Sequence, residues 1–278
     1  CLRRLRLHQP LRNPLAQPVP FAFGGEALLV HYARPVLELS CMAFFATVGL
    51  AQLSHETTPA LAQLAFTALI FYAMGALPYR RWGPTLANGA GLLGLALSGA
   101  PTMALFFGLG SALIHYLDRP QQATDVVRDR RIMQDSVAIM FTTLLSVGFA
   151  WSLNLLTWKI DLPSANWADW YGYAQLLVWF TWPTWPLTLW TLWRWRHQLF
   201  NRRISRHLGL PAWFVLVCVV ATLTTGSSDR SLLLALPALA TLSAFALPTL
   251  KRWVAALIDW FTLLFFSGCA LTIWVVWI

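Results

Sequence analysis

The sequence predicts an all-α fold, a bundle of about nine transmembrane helices in a polytopic integral membrane protein. The chain has 278 residues, of which 58% are hydrophobic and only 11% are charged. Soluble domains have about 25% charged residues, so this chain carries too few to cover a soluble surface. Long apolar runs recur along the chain with short basic clusters between them, which is the pattern of membrane spans joined by loops.

The predicted spans follow the apolar runs, and charged clusters, Pro and Gly mark their ends. In chain order, they cover residues 36–53, 59–77, 84–98, 101–117, 135–157, 174–193, 211–225, 231–249 and 254–278. A helix needs about 20 apolar residues to cross the hydrocarbon core, and the third and seventh spans have only about 15. We therefore expect these two to be tilted, re-entrant or misplaced.

The positions of Lys and Arg predict the orientation in the membrane. When nine spans alternate, all of the 20 Lys and Arg residues except Lys159 and Arg230 lie on one side. The positive-inside rule makes that side the cytoplasm, so the N-terminus is predicted to be cytoplasmic and the C-terminus to be outside. The net charge of +9 is then a consequence of topology, and the sequence predicts no nucleic-acid partner.

Two segments outside the spans complete the predicted organisation. Residues 1–35 form a basic, proline-punctuated juxtamembrane segment, which either lies against the inner leaflet or is a solvated tail. Residues 36–278 form the transmembrane helical domain. On its outer face, the loop at 158–173 contains Trp and Tyr and is long enough for a helix in the membrane interface. Membrane lipid is thus a predicted partner.

The stretch WFTWPTWPLTLWTLWRWR lies in the sixth span. Pro183 and Pro186 each remove an amide donor and crowd the carbonyl four residues earlier, so they predict a break in this helix. Trp179, Trp182 and Trp185 are spaced by three residues and are predicted to form a stripe along the broken half. Such a stripe packs against another helix or walls an apolar groove, and these five residues are the candidates for that groove.

The sequence lacks the common motifs of metal and nucleotide chemistry. It has no H-x-x-x-H, H-E-x-x-H or C-x-x-C pattern, no carboxylate cluster and no Walker motif, so no metal site or ATP-driven function is predicted. GAGLLG at 89–94 matches a dinucleotide-binding pattern but lies within an apolar span, where small residues let helices approach closely. Gly108 and Gly110 have the same interpretation. The sequence identifies no cofactor and no catalytic residue.

Three stretches together resemble proteobacterial members of the GT-C glycosyltransferases, which are polytopic enzymes related to the lipid A aminoarabinose transferases and the protein O-mannosyltransferases. The stretches are HETTPALAQLAFTALIFYAM, WFTWPTWPLTLWTLWRWR and SSDRSLLLALPALATLSAFALPTLKR. The resemblance extends over most of residues 25–278. Its most specific part is an outer-loop basic residue followed by a leucine-rich helix containing L-P-A-L, here Arg230 to Ala240.

The resemblance implies a multi-pass protein of the bacterial inner membrane that takes a sugar from a polyprenyl-phosphate carrier and transfers it at the outer face. It also implies a catalytic aspartate in the first outer loop, and nothing before the first span here supplies one. The next outer loop reads H-E-T-T-P-A, with Ala60 where family members have an acid. We therefore expect either the membrane portion of such an enzyme or a degenerate member of the family.

A lipid-linked donor requires an apolar groove open to the bilayer and a cation that meets its phosphate at the outer edge. Arg230 and Lys159 are the only basic residues predicted on that side, and Arg suits phosphate through its forked guanidinium. His55, Glu56 and Asp161 lie in the same outer loops. These five residues form the predicted substrate-binding set.

Two other interpretations remain open. The first is a non-catalytic transmembrane subunit that packs through its Trp-rich faces against other membrane subunits of a larger complex. The second is a channel or carrier. The glycosyltransferase interpretation predicts a cavity that reaches the outer face near Arg230, whereas the subunit interpretation predicts a filled core and an apolar lateral face covered by partner helices.

Overall fold

The protein is helical throughout the part of the chain that its computed structural model describes. That part comprises residues 29–53, 59–80, 82–117, 126–156, 167–199, 206–225, 229–246, 249–250 and 252–277. Within these ranges every element of regular secondary structure is a helix, so the predicted all-α fold is confirmed.

Thirteen helices follow one another in these ranges. They are α1 (Leu29–Phe45), α2 (Val48–Leu53), α3 (Pro59–Ala76), α4 (Trp82–Leu97), α5 (Pro101–Leu117), α6 (Val126–Ser152), α7 (Trp167–Phe180), α8 (Thr184–Arg194), α9 (Arg196–Leu199), α10 (Arg206–Thr224), α11 (Asp229–Leu233), α12 (Leu236–Ala246) and α13 (Arg252–Trp277). Several of the short ones are consecutive pieces of one predicted span, separated by breaks of two or three residues.

Four of these helices are long and apolar enough to cross a membrane. The segments are Pro59–Ala76, Arg130–Ser152, Arg206–Thr224 and Asp259–Trp277, and each has a mean hydropathy of at least 1.4 over its best window. Val36–Phe45, Pro101–Leu117 and Leu236–Ala246 are shorter apolar helices. A membrane protein with several spanning helices is consistent with this composition, whereas the count of nine and the cytoplasmic N-terminus stay predictions.

Some helix limits differ from the predicted span limits. Helix α6 begins at Val126, well before residue 135, because its first turns carry Arg, Asp and Gln that hydropathy assigns to a loop but that a helix accommodates. Helix α10 begins at Arg206 rather than at residue 211. Helix α7 begins at Trp167, so the end of the predicted interfacial loop continues directly into the sixth span.

The chain forms two compact units, Ser40–Ser243 and Cys1–Leu39 with Ala244–Ile278. In the larger unit, α3, α4, α5 and α6 pack as successive neighbours, and α10 packs against α5. Three rings join α3, α5 and α10 in the core. Phe107 stacks on Phe214 with ring centroids 4.3 Å apart, and Phe71 meets Phe214 edge-on at 5.4 Å.

Glycines let the helices of this unit approach closely, as the sequence predicts. A Cβ at Gly91 or Gly94 of α4 would meet Ile70 or overlap the ring of Phe66 on α3. On α5, a Cβ at Gly108 would overlap Thr143 of α6, and one at Gly110 would overlap Trp213 of α10. Because lipid gives helices little hydrophobic reason to associate, close backbone packing of this kind is a main source of their cohesion.

Candidate functional site

The sixth predicted span is interrupted near its middle. Helix α7 ends at Phe180 and α8 begins at Thr184, so the predicted break is confirmed. At 1.5 Å rise per residue, α7 extends about 21 Å to one side of the break and α8 about 16 Å to the other. In the predicted topology the break lies within the bilayer, where unpaired backbone groups need partners from the protein because hydrocarbon offers none.

The two prolines start a new helix instead of bending a continuous one. Pro183 immediately precedes α8, and Pro186 lies in its first turn, where amide donors have no carbonyl partner within the helix. The Thr181 carbonyl in the break accepts the backbone N–H and the hydroxyl of Thr184 at 2.8 and 2.7 Å. The Thr181 hydroxyl donates to the carbonyl of Leu177 at 2.7 Å. The threonines therefore satisfy much of the interrupted backbone.

A second break supplies the partner for the Trp182 carbonyl. Helix α1 ends at Phe45 and α2 begins at Val48, whose backbone N–H donates to the Trp182 oxygen at 3.1 Å. An N–H at the start of a helix has no acceptor within that helix. The N–H at one break therefore pairs with a carbonyl at the other. Thr47, between α1 and α2, is fully buried, and its hydroxyl donates to the Phe44 carbonyl at 2.7 Å.

Gly49 makes this close approach of the two breaks possible. A Cβ at Gly49 would overlap the ring of Phe180, the last residue of α7. Phe180 is only 3% exposed, so its ring has little room to move aside. The absence of a side chain at Gly49 therefore sets the distance between α2 and the end of α7.

A third break lies beside the first two. Helices α11 and α12 are separated by Leu234 and Ala235, which are both buried, and α12 begins with Leu236 and Pro237. Helix α11 packs against both α2 and α7, and α2 packs against α7. Three helix pieces that end or begin at a break are thus mutual neighbours. On the far side of the first break, Thr188 and Thr191 of α8 donate hydrogen bonds to carbonyls of α12 at 3.3 and 2.8 Å.

An open groove of about 540 Å³ runs between α2 and α7. Apolar side chains, backbone and two amides line it, namely Val48, Gln52, Gly172, Gln175, Leu176, Trp179 and Phe180. Gln52 and Gln175 are both exposed. In the predicted topology the groove extends from the breaks toward the outer end of α7.

Sequence reasoning missed both glutamines and one carboxylate. The groove residues of α7 follow a spacing of three and four, which marks one face of the helix. Asp169, which is exposed, lies three residues before Gly172 on that face, one turn beyond the groove. The available signal on α7 was Gln175 within an otherwise apolar run, but it indicates a groove only once the break shows where this face of the helix ends.

Of the five predicted groove residues, one lines the groove between α2 and α7. Trp179 lines the groove and is 64% exposed, but Trp182, Trp185, Pro183 and Pro186 do not line it. Trp182 lies within the break, and Trp185 belongs to α8, where its indole N–H is buried without a hydrogen-bond partner. A spacing of three residues keeps side chains on one face only while the helix is continuous, and this helix is not.

Of the predicted substrate-binding residues, only Arg230 falls in the described part of the chain. It is exposed and is the second residue of α11, the helix that packs against both walls of the groove. Lys159, Asp161, His55 and Glu56 lie outside the described residues. Within the described ranges, no three His, Cys, Asp or Glu side chains come together as ligands of a metal ion.

Comparison of the chain with protein-family models, with curated proteins and with solved structures gave no match. The assignment of function therefore depends on the groove and the helix breaks themselves.

Proposed function

We propose that the protein is a membrane glycosyltransferase-like protein that binds a polyprenyl-phosphate-linked sugar donor in the groove between α2 and α7. The proposal includes the nine-span topology, with the groove at the outer face of the bacterial inner membrane. The observation that carries it is the juxtaposition of an open, largely apolar groove with α11, whose exposed Arg230 lies on a helix in contact with both groove walls.

The groove has the chemistry that a lipid-linked donor requires. Trp179, Leu176 and Val48 offer apolar surface for an isoprenoid chain, since each buried CH₂ is worth about 0.8 kcal/mol. Gln52 and Gln175 offer amide donors and acceptors for polar groups of the donor. Arg230 offers a charged, forked donor for its phosphate.

Arg230 is the residue on which the proposal is tested. A charge-assisted hydrogen bond to phosphate contributes about 1.5–3 kcal/mol, so Arg230→Ala is expected to weaken binding of undecaprenyl phosphate roughly tenfold or more. Arg230→Lys should recover only part of the loss, because Lys is a point charge. Binding is measured on purified protein in nanodiscs by native mass spectrometry.

Two controls separate lipid binding from local effects. Asp229→Ala removes the neighbouring charge and should leave lipid binding unchanged, because surface ion pairs in general contribute at most about 1 kcal/mol. Trp179→Ala should weaken binding, whereas Trp193→Ala should not, although the two side chains are similarly exposed at 64% and 60%. Unchanged binding by Arg230→Ala rejects the carrier site at α11.

One observation favours a second candidate, the non-catalytic membrane subunit. No residue whose burial is described is buried in the Asp259–Trp277 window of α13, and the sequence of this helix is rich in Phe, Leu and Trp. Lipid or a partner helix can cover such a surface. If Arg230→Ala binds undecaprenyl phosphate as well as the unmodified protein does, and photocrosslinkers placed on α13 capture a second membrane protein, this candidate replaces the first.

A further inference from the structure

A set of buried polar atoms without hydrogen-bond partners lies away from the groove, in the unit Ser40–Ser243. It comprises Asn88 Oδ1, Ser111 Oγ, Ser136 Oγ and both ring nitrogens of His115. Each of these four side chains is at least nine-tenths buried, with His115 6% exposed and Ser111 not exposed at all. Unpaired polar atoms are rare in protein interiors, and several in one place require an explanation.

Helix register brings these side chains together. Helices α5 and α6 are consecutive and antiparallel, and Gly108 of α5 meets Thr143 of α6. His115 lies seven residues after Gly108 and Ser136 seven before Thr143, so each is two turns from that contact on the same face. His115 and Ser136 therefore lie at the same level of the α5–α6 interface.

The cluster extends one turn further into the bundle. Ser111 precedes His115 by four residues and shares its face of α5. Helices α4 and α5 form a hairpin about Gly99, which places Asn88 at the level of Ser111. All four side chains thus follow one path between α4, α5 and α6.

Arg206 closes the cluster at the Arg-rich end of the bundle. It is the first residue of α10, is 8% exposed, and lies close enough to His115 to act on it electrostatically. Trp213, two turns later on α10, donates to the Phe106 carbonyl of α5 at 3.0 Å, which fixes α10 against α5. A buried cation close to a buried histidine makes this end of the bundle strongly polar.

We propose that these side chains line a second polar site, separate from the groove, which holds water and opens to the aqueous phase where α5 ends and α10 begins. Serine, the histidine ring and the asparagine amide each accept and donate hydrogen bonds, which is the match that water requires. Buried waters typically bridge two to four such groups. In the predicted topology, this site lies on the cytoplasmic side.

Thiol accessibility tests the proposal. In a protein whose four native cysteines are replaced by Ala, Ser111→Cys and Ser136→Cys are treated with a charged methanethiosulfonate reagent from either side of the membrane. The reagent reacts with thiolates, which form only where water reaches. Ala104→Cys and Ala150→Cys are matched controls, because both positions are fully buried on α5 and α6 but lie away from the cluster.

The expected result is labelling of Ser111→Cys and Ser136→Cys from the Arg-rich side, on the order of tenfold faster than either control. Equal protection of all four thiols overturns the proposal, since a dry core protects each of them. The melting temperature (Tm) of the Ser111→Ala variant provides an independent test. It should fall if the hydroxyl binds water, and a rise in Tm, expected from removal of an unsatisfied group, overturns the proposal as well. Neither result bears on lipid binding in the groove.

Discussion

Substitution of Gly49 by Ala directly perturbs the contact between the first and the sixth predicted spans. The added methyl group would overlap three atoms of the Phe180 ring, and that ring is almost completely buried. Overpacking of a buried site costs about 1–3 kcal/mol. The same methyl group would also push α2 away from the break that accepts the hydrogen bond of Val48.

Gly148 of α6 is the matched control. It is exposed, and a Cβ there would have no neighbour within 4 Å. Gly148→Ala should therefore raise the free energy of unfolding by roughly 0.5–1 kcal/mol, because Ala is more favourable than Gly within a helix by that amount. The two substitutions add the same atoms, so their difference of about 1.5–4 kcal/mol reports the contact with Phe180 alone.

Thermal unfolding of both variants in the same detergent measures this difference. At about 2–4 °C per kcal/mol, Gly49→Ala should melt roughly 3–16 °C below Gly148→Ala. If the two variants have the same Tm, or if Gly49→Ala is the more stable, then α2 and the end of α7 are not packed as described. The groove would then have a different shape as well, because the same two helices form its walls.

Two further predictions concern topology and the helix contact beyond the break. A cysteine at Ala165 should be labelled from outside the cell and one at Ile204 only from the cytoplasm, and the opposite pattern would overturn the orientation derived from Lys and Arg. Thr191→Val should lower stability by about 0.5–1.5 kcal/mol, because the buried Thr191 hydroxyl donates to the Leu242 carbonyl at 2.8 Å. Thr272→Val should have little effect on unfolding, since that exposed hydroxyl bonds only within α13.

The break in the sixth span could be predicted from the sequence because proline acts locally. Pro183 and Pro186 affect hydrogen bonds within four residues, so no tertiary information is needed. The partner of the freed Trp182 carbonyl could not be predicted, because Val48 lies far away in the chain and has no local signal. The break before Val48 contains no proline, and its residues Ala46 and Thr47 are unremarkable in an apolar run.

Helix limits differ from the predicted span limits, and the predicted Trp stripe is divided between two helices, for related reasons. Hydropathy measures where a helix is apolar, whereas the helix itself continues through charged turns, as α6 does from Val126. Periodicity indicates which residues share a face only while the helix is continuous. Trp179 and Trp185 lie on different helices, so their spacing does not place them on one face. The prediction that glycines of α4 and α5 let helices approach closely is confirmed, because close approach depends on side-chain size, which can be read from the sequence.

The three breaks explain why a polar ligand could be bound at this depth of the bundle. Continuous helices satisfy their own backbone and present only side chains to a ligand, whereas helix ends bring N–H and C=O groups into a region that lacks water. Here α2, α7 and α11 each begin or end beside a break and contact one another, so backbone dipoles, the exposed Arg230 and the two groove glutamines are concentrated in one part of the molecule. Helices α3, α4 and α5 are each continuous and so bring no such helix ends into the bundle. If the groove binds a phosphate-bearing lipid, the reason is this concentration of helix ends rather than any single residue.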